Sequence, residues 1–271
     1  MNHTGRTVFV RTQPGGFTLI ELLVVMSIIS LMMSILLPSL SNAREQGKRV
    51  ACVSNMRSLT QGWMMYALEN DDALCSAETG WDVPPANHWV ADGPLIPGNE
   101  LGGTAQAIMR GTLWPYTNET LKLYKCRSDR TERLRSYAIS RAMNGARSAF
   151  ERDNIRPFHM WSQITQASER MVFVDADCRT PWMEGSFCAV RDIDSPTPEW
   201  YVRDSRNLSA RHRTGCNVTF ADTHCEYWRY RDSRTTSLAN YEIGPQQASD
   251  HNPDLVRMLQ LLQGKREQVV P

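Results

Sequence analysis

Seven cysteines are the most reactive side chains in this chain of 271 residues. They are Cys52, Cys75, Cys126, Cys178, Cys188, Cys216 and Cys225. Thiols pair as disulfides in oxidising compartments, and an odd number leaves at least one cysteine free or paired with another chain. Cys178 and Cys188 could close a short loop. No C-x2-C pair occurs, which weakens a zinc-ribbon interpretation.

Two pairs of aspartates have the spacing of oxygen ligands for calcium. Asp175 and Asp177 form the first pair, and Asp192 and Asp194 form the second. No EF-hand spacing accompanies them, and loop acids that are simply solvated are the commoner outcome. We therefore expect no cofactor, with calcium as the alternative.

Two histidines and an aspartate in the C-terminal half suggest a possible zinc site. His212, Asp222 and His224 could bind zinc if a β-hairpin brings them together. Alternatively, His212 and Asp222 make structural hydrogen bonds that tie the hairpin to the loop before it. We favour the structural role.

Motifs of the common enzyme classes are missing from the sequence. It has no G-x-S-x-G, no H-E-x-x-H and no glycine loop for phosphate. Sequence spacing alone cannot assemble a catalytic triad from scattered serine, histidine and aspartate. We therefore expect a protein that is not an enzyme.

The most distinctive element is an apolar run near the N-terminus. Phe17 to Leu37 are 21 positions with a single charge, Glu21, which is long enough to cross a bilayer. Arg6 and Arg11 precede it and predict that the N-terminus stays cytoplasmic while the rest is exported. A secretory signal cut near Ala43 and a plain signal anchor are the alternatives, but neither explains a carboxylate among residues at membrane depth.

The residues Gly16-Phe17-Thr18-Leu19-Ile20-Glu21 resemble the cleavage and methylation site of type IV pilins and type II secretion pseudopilins. The resemblance implies that a prepilin peptidase cuts after Gly16 and methylates the amine of Phe17. It implies that Glu21 meets the N-terminus of a neighbouring subunit during assembly, and that Pro38 kinks the helix. It also implies other pilin or pseudopilin subunits and an inner-membrane assembly platform as partners, with the head in the periplasm or an extracellular fibre.

Further pieces resemble a pilin-like subfamily, abundant in planctomycetes, that carries an H-x9-D-G element. These pieces are Cys52-Val53-Ser54-Asn55-Met56-Arg57, Tyr124-Lys125-Cys126-Arg127-Ser128-Asp129, Ser136-Tyr137-Ala138-Ile139, and the run from His212 to Asp222. Nine residues separate His212 from Asp222, and Thr223 stands where the subfamily has glycine. Because Cys52 and Cys126 both lie in recurring pieces of the resemblance, they are our preferred disulfide.

The surrounding pattern predicts an α+β fold, with a long N-terminal helix packed on a mostly antiparallel β-sheet head with long loops. An apolar stripe extends the helix to about Leu68. Its members are Leu36, Leu40, Ala43, Val50, Val53, Met56, Leu59, Trp63 and Ala67. We divide the chain into a leader (1–16), a transmembrane and polymerisation helix (17–38), its amphipathic continuation (39–70) and a globular head (71–271).

Strands are predicted at Met171–Val174 and at Asn217–Phe220, with a return strand at Cys225–Trp228. A two-residue turn at Asp222-Thr223 would force a β-branched residue to positive φ, so the turn is either strained or longer. Asn252 is positioned to cap a C-terminal helix that ends at Gly264.

Charge and aromatic content bear on the function. The formal charge is +1 for the precursor, and loss of two arginines with the leader makes it −1, so no nucleic-acid partner is expected.

Sequence and resemblance together predict a pilin-like structural subunit of a type II secretion pseudopilus or type IV pilus-like fibre. The alternative is a membrane-tethered carbohydrate-binding module, in which exposed tryptophans stack on sugars. Its candidates are Trp81, Trp89, Trp182 and Trp200.

Overall fold

A computed structural model describes residues 17–77, 87–91, 104–145, 157–177, 185–187, 208–240, 242, 249 and 251–263. The chain divides into two compact units, Met1–Arg44 and Glu45–Pro271. The first unit contains the start of the long helix. The second contains the rest of that helix and the head.

Helix α1 spans Leu19–Glu69, close to the predicted extent. It ends where the backbone turns left-handed at Asp71 and Asp72, and the amide of Asp72 donates back to the carbonyl oxygen of Ala67 over 3.0 Å. Such a bond satisfies a carbonyl group left free at a helix C-terminus. Pro38 lies inside the helix.

The first part of α1 is apolar and exposed along its whole length. An 18-residue window in this helix has a mean hydropathy of 2.5, and none of that window is buried. Leu19, Leu23 and Leu31, for example, are 84%, 65% and 66% exposed. Length and composition therefore allow this segment to span a membrane.

Beyond Arg44, one face of α1 is buried in the head. Its buried residues include Cys52, Met56, Leu59, Trp63 and Ala67, which follow one another at steps of three and four. The predicted stripe is right from Met56 onward and wrong at Val50, which is 65% exposed. The buried face continues from Met56 to Cys52, four residues earlier in the helix, and Val50 lies on another side.

The head is built on a five-stranded sheet in the order β3-β1-β2-β4-β5. The strands are β1 Tyr137–Ser140, β2 Met171–Asp175, β3 Ser186–Phe187, β4 Gly215–Phe220 and β5 Cys225–Arg229. The pairs β1–β2, β2–β4 and β4–β5 are antiparallel, and β1–β3 is parallel. The α+β prediction is therefore confirmed, as are the strands predicted at β2, β4 and β5.

Each face of the sheet has its own apolar core. On one face, Tyr137 and Ile139 pack with α1 residues such as Leu59 and Trp63. On the other face, Ala138 packs with Val218 and with α4 (Pro253–Gln263). A register shift in β2 between Met171 and Val174 sends Val172 and Phe173 to the α1 side together, as a β-bulge does.

Two shorter helices and the C-terminal helix complete the described head. Helix α2 spans Ala105–Met109 and α3 spans Ser233–Ala239. The side chain of Asn252 accepts hydrogen bonds from the amides of Asp254 (2.9 Å) and Leu255 (3.2 Å), so the predicted cap of α4 is confirmed.

The β4–β5 hairpin has a longer loop than two residues. Thr219 pairs with Cys225, and the amide of Phe220 donates to the carbonyl oxygen of His224. Ala221, Asp222 and Thr223 therefore form the loop, and Thr223 adopts φ 72°. A three-residue hairpin loop ends with such a left-handed residue, commonly glycine.

Candidate functional site

The described chain begins at the predicted methylation site. Gly16 and the leader lie outside the described residues, and Phe17 is 80% exposed. Glu21 accepts from the amide of Thr18 (2.9 Å) and from its hydroxyl (2.8 Å), while the amide of Glu21 donates to Thr18 Oγ1 (3.2 Å). This reciprocal arrangement is a capping box, in which Glu21 stabilises the start of its own helix.

A buried cluster in the head brings together two thiols, a carboxylate and an imidazole, all of which can bind a metal ion. Cys52, Cys126, Asp175 and His212 each offer one ligand atom, and these atoms all lie within 4.8 Å of one another. All four residues are buried. Two thiols, an imidazole and a carboxylate at this spacing are a donor set for a metal ion.

Four different elements bring the cluster together. Cys52 lies on the buried face of α1, and Cys126 follows a short 3-10 helix at Leu121–Tyr124. Asp175 is the last residue of β2, and His212 lies in the loop that leads into β4. Cys126 and His212 are 86 positions apart in sequence, so the tertiary fold alone makes them neighbours.

His212 lies between the cluster and a partly exposed carboxylate. Its Nε2 is 3.3 Å from Cys126 Sγ and 3.4 Å from Asp175 Oδ2. Its Nδ1 is 3.2 Å from Glu45 Oε1, and Ser128 donates its hydroxyl to the same glutamate oxygen over 2.8 Å. The imidazole is therefore held at both nitrogens.

Both cluster cysteines are free thiols in the structure. Tyr137 Oη is 3.1 Å from Cys52 Sγ, and the amide of Ser128 donates to Cys126 Sγ over 3.4 Å. The two sulfur atoms are near each other, which suits either a disulfide or two ligands of one ion. The Cys52–Cys126 disulfide therefore stays a prediction.

Arg211 supplies positive charge beside the cluster. Its Nη1 donates to Asp175 Oδ1 and to the carbonyl oxygen of Ala176, both over 2.7 Å. Its Nη2 is 3.1 Å from Asp129 Oδ2 and 3.8 Å from Asp177 Oδ1. Burial nevertheless raises the pKa of Asp175 to about 7, because desolvation outweighs the attraction of Arg211.

The thiols and the imidazole also have shifted pKa values. A hydrogen bond from Cys52, helped by His212, lowers the pKa of Cys126, whereas burial raises the pKa of Cys52. Burial alone would lower the pKa of His212, but its hydrogen bond to Cys126 and the charge of Asp175 raise it. The pKa values of the two thiols therefore shift in opposite directions, so Cys126 loses its proton more readily than Cys52.

The zinc site considered for His212, Asp222 and His224 is not formed. His212 precedes β4 and Asp222 follows it, and a six-residue strand is about 20 Å long. Asp222 instead accepts from the amide of His224 (3.1 Å) and pairs with its ring. His212 and Asp222 both have structural hydrogen bonds, but at opposite ends of the strand.

Other candidate residues are only partly described. Asp175 and Asp177 lie beside Arg211, which is a poor setting for calcium, while Asp192, Asp194, Cys178 and Cys188 lie outside the described residues. Trp89 is fully buried, with its ring 5.3 Å from that of Phe173, so its predicted role as an exposed sugar platform is wrong. Trp81, Trp182 and Trp200 lie outside the described residues.

Sequence reasoning missed Glu45 and Arg211 as members of this site. Glu45 is one of several charged residues on the second half of α1, and the type of neither residue by itself indicates a buried cluster. The one available signal was the run Cys126-Arg127-Ser128-Asp129, in which three residues contact the cluster or its neighbours.

Comparison with known proteins finds a family motif at the N-terminal end and relatives that match part of the chain. Residues 12–37 match the prokaryotic N-terminal methylation motif. The chain is 28% identical over 117 residues to type II secretion system core protein G of Pseudomonas aeruginosa, a match that covers 39% of this chain and 81% of that protein. It is 30% identical over 110 residues to the protein of the same name from Klebsiella michiganensis, covering 37% of this chain and 78% of that protein. No solved structure matches.

A methylation motif at the start of an exposed apolar helix, followed by an α+β head, defines a pilin-like protein with a membrane anchor. The chain belongs to the pseudopilin family of type II secretion system core protein G.

Proposed function

We propose that this chain is a structural subunit of a type II secretion pseudopilus or a type IV pilus-like fibre. The observation that best supports this proposal is the methylation motif at the start of an apolar helix. The side chains of that helix are exposed in the single chain. Exposed apolar surface of this length must be covered by lipid or by other helices. The precursor would sit in the inner membrane with its head outside the cytoplasm, and the fibre would cover the same helix with neighbouring subunits.

Processing would prepare the helix for assembly. A prepilin peptidase would cut after Gly16 and methylate the new amine of Phe17, with an inner-membrane platform receiving the product. Glu21 is the proposed assembly residue, because a carboxylate among apolar helices is tolerable only beside a positive group. In the single chain its carboxylate is held by Thr18, so assembly would exchange this local contact for a neighbour's N-terminus.

This role requires no catalysis by the chain itself. The relatives with which it shares sequence are named as core proteins of a secretion system. Because Trp89 is buried, it cannot stack on a sugar in the carbohydrate-binding alternative. No contact among the described residues favours that alternative.

Mass spectrometry of the protein purified from its native membrane tests the processing step. We expect a chain that begins at Phe17 and carries one additional methyl group. Gly16→Asp should leave the leader attached, because the peptidase needs a small residue there. The neighbouring control Gly15→Ala should be processed normally. A native chain that begins anywhere else would refute the processing proposal.

A further inference from the structure

We propose that Cys52, Cys126, Asp175 and His212 bind a structural zinc ion inside the head. The donor atoms are the two Sγ atoms, one carboxylate oxygen and His212 Nε2, all within 4.8 Å of one another. A tetrahedral ion with the bond lengths usual for zinc holds such atoms about 3.3–3.8 Å apart. The measured separations of Nε2 from Cys126 Sγ (3.3 Å) and from Asp175 Oδ2 (3.4 Å) fit that geometry.

The carboxylate has an oxygen to spare for a metal. Asp175 is fully buried, and Arg211 bonds its Oδ1. Within the described part of the chain, its Oδ2 has no hydrogen-bond partner, although it faces the His212 ring. A buried oxygen without a hydrogen bond costs free energy, and coordination to an ion would remove that cost.

The groups around the cluster also match those around known metal sites. A histidine that binds a metal through one nitrogen usually donates its other N–H to a carboxylate, and His212 Nδ1 faces Glu45 in this way. Hydrogen bonds from Ser128 N–H and Tyr137 Oη reach the two sulfur atoms and would stabilise thiolates.

Charge balance supports a divalent ion. Two thiolates and one carboxylate carry three negative charges, which is too many for an uncompensated interior. A Zn²⁺ ion would offset two of these charges, and the Arg211 guanidinium, which also pairs with Asp129, lies beside the carboxylate. Tetrahedral coordination by sulfur and nitrogen favours zinc over calcium or magnesium, which prefer oxygen ligands.

Such an ion would connect α1 to three parts of the head at once. The ligands come from α1, the loop after Leu121–Tyr124, the end of β2 and the loop before β4. Glu45, Arg49, His212 and Tyr227 line a surface cleft beside the histidine side of the cluster. The proposal does not depend on fibre assembly.

The test uses the full chain purified in detergent without added reductant or chelator. Elemental analysis should find one zinc ion per chain. After exchange into Co²⁺, the visible spectrum should show the intense bands of tetrahedral cobalt and a thiolate-to-cobalt charge-transfer band. Cys126→Ser should lose bound zinc, whereas Cys225→Ser should keep it, because Cys225 lies on β5 and is not one of the four clustered donors.

Glu45→Gln separates a metal site from a merely packed cluster. Loss of the charged partner of His212 should weaken zinc binding roughly 10- to 100-fold in a competition assay with a chelator. A peptide map that shows a Cys52–Cys126 disulfide would overturn the proposal. Reduced wild-type chain that binds neither Zn²⁺ nor Co²⁺ would overturn it too, whatever the variants do.

Discussion

At the scale of single residues, Thr223 has a conformation that its type disfavours. It occupies the left-handed position of the β4–β5 loop with φ 72°, where a β-branched side chain crowds the backbone. Its amide still donates to the carbonyl oxygen of Phe220 over 2.9 Å, so the turn itself is well formed. The strain therefore comes from the side chain rather than from the loop.

Thr223→Gly should stabilise the protein. Removing the Cβ atom at a left-handed position should raise the free energy of unfolding by about 1 kcal/mol. Guanidinium unfolding of the full chain in detergent, followed by tryptophan fluorescence, measures this change. The control is Thr165→Gly, at an exposed threonine without positive φ, which should lower stability slightly. A loss of stability in Thr223→Gly would mean that the loop does not adopt this turn.

At the scale of elements, the two halves of α1 differ in how their apolar side chains are buried. Up to Arg44 its apolar side chains are exposed, and from Cys52 onward one face is buried in the head. The change follows from composition, because Glu45, Lys48 and Arg49 introduce charge and leave a narrower apolar face.

The burial pattern of α1 gives a matched pair of substitutions. Leu59→Ala should lower the free energy of unfolding by about 3 kcal/mol, because a fully buried leucine leaves a cavity. Val50→Ala, at a position 65% exposed on the same helix, should change it by less than about 0.5 kcal/mol. Denaturant titration of both variants distinguishes the two positions, and equal losses would contradict the assigned face.

Helix α3 depends on its N-terminal cap. Asp232 accepts from the amide of Arg234 over 2.8 Å and pairs with its guanidinium. Asp232→Ala should cost about 1 kcal/mol at neutral pH, whereas Asp232→Asn, which still caps, should cost less.

The Asp232 contribution should depend on pH. The Arg234 contacts lower the pKa of Asp232 in the folded chain. The stabilisation is therefore present above the unfolded value of about 3.9 and is lost as the pH falls through the lower folded value. The difference in unfolding midpoint between wild type and Asp232→Ala should shrink on acidification below pH of about 4, and a constant difference would contradict the ion pair.

At the scale of the whole molecule, local patterns predicted much of the fold and little of the buried cluster. The apolar helix, strands β2, β4 and β5 and the Asn252 cap all depend on residues close together in sequence, and these were predicted correctly. Strand β3 is only two residues long and pairs in parallel with β1, so local alternation gives no signal for it. The cluster joins Cys52 to His212 through long-range packing, which no spacing rule predicts.

The first part of α1 exposes a large apolar surface that lipid or other protein chains must cover. In our account, lipid covers this surface in the precursor and neighbouring helices cover it in the fibre. Glu21 is the only charge between Phe17 and Leu37, so it should set the register between subunits.

Fibre incorporation of Glu21→Ala is the most direct test of this account. The variant and wild type would be expressed in the native host, and the sheared fibre fraction compared with the membrane fraction by immunoblot. We expect wild type in both fractions and Glu21→Ala in the membrane alone, still inserted. Ser27→Ala, a control on the same helix whose hydroxyl donates to the carbonyl oxygen of Leu23, should assemble normally. Wild type confined to the membrane, or Glu21→Ala assembled as well as wild type, would contradict the account.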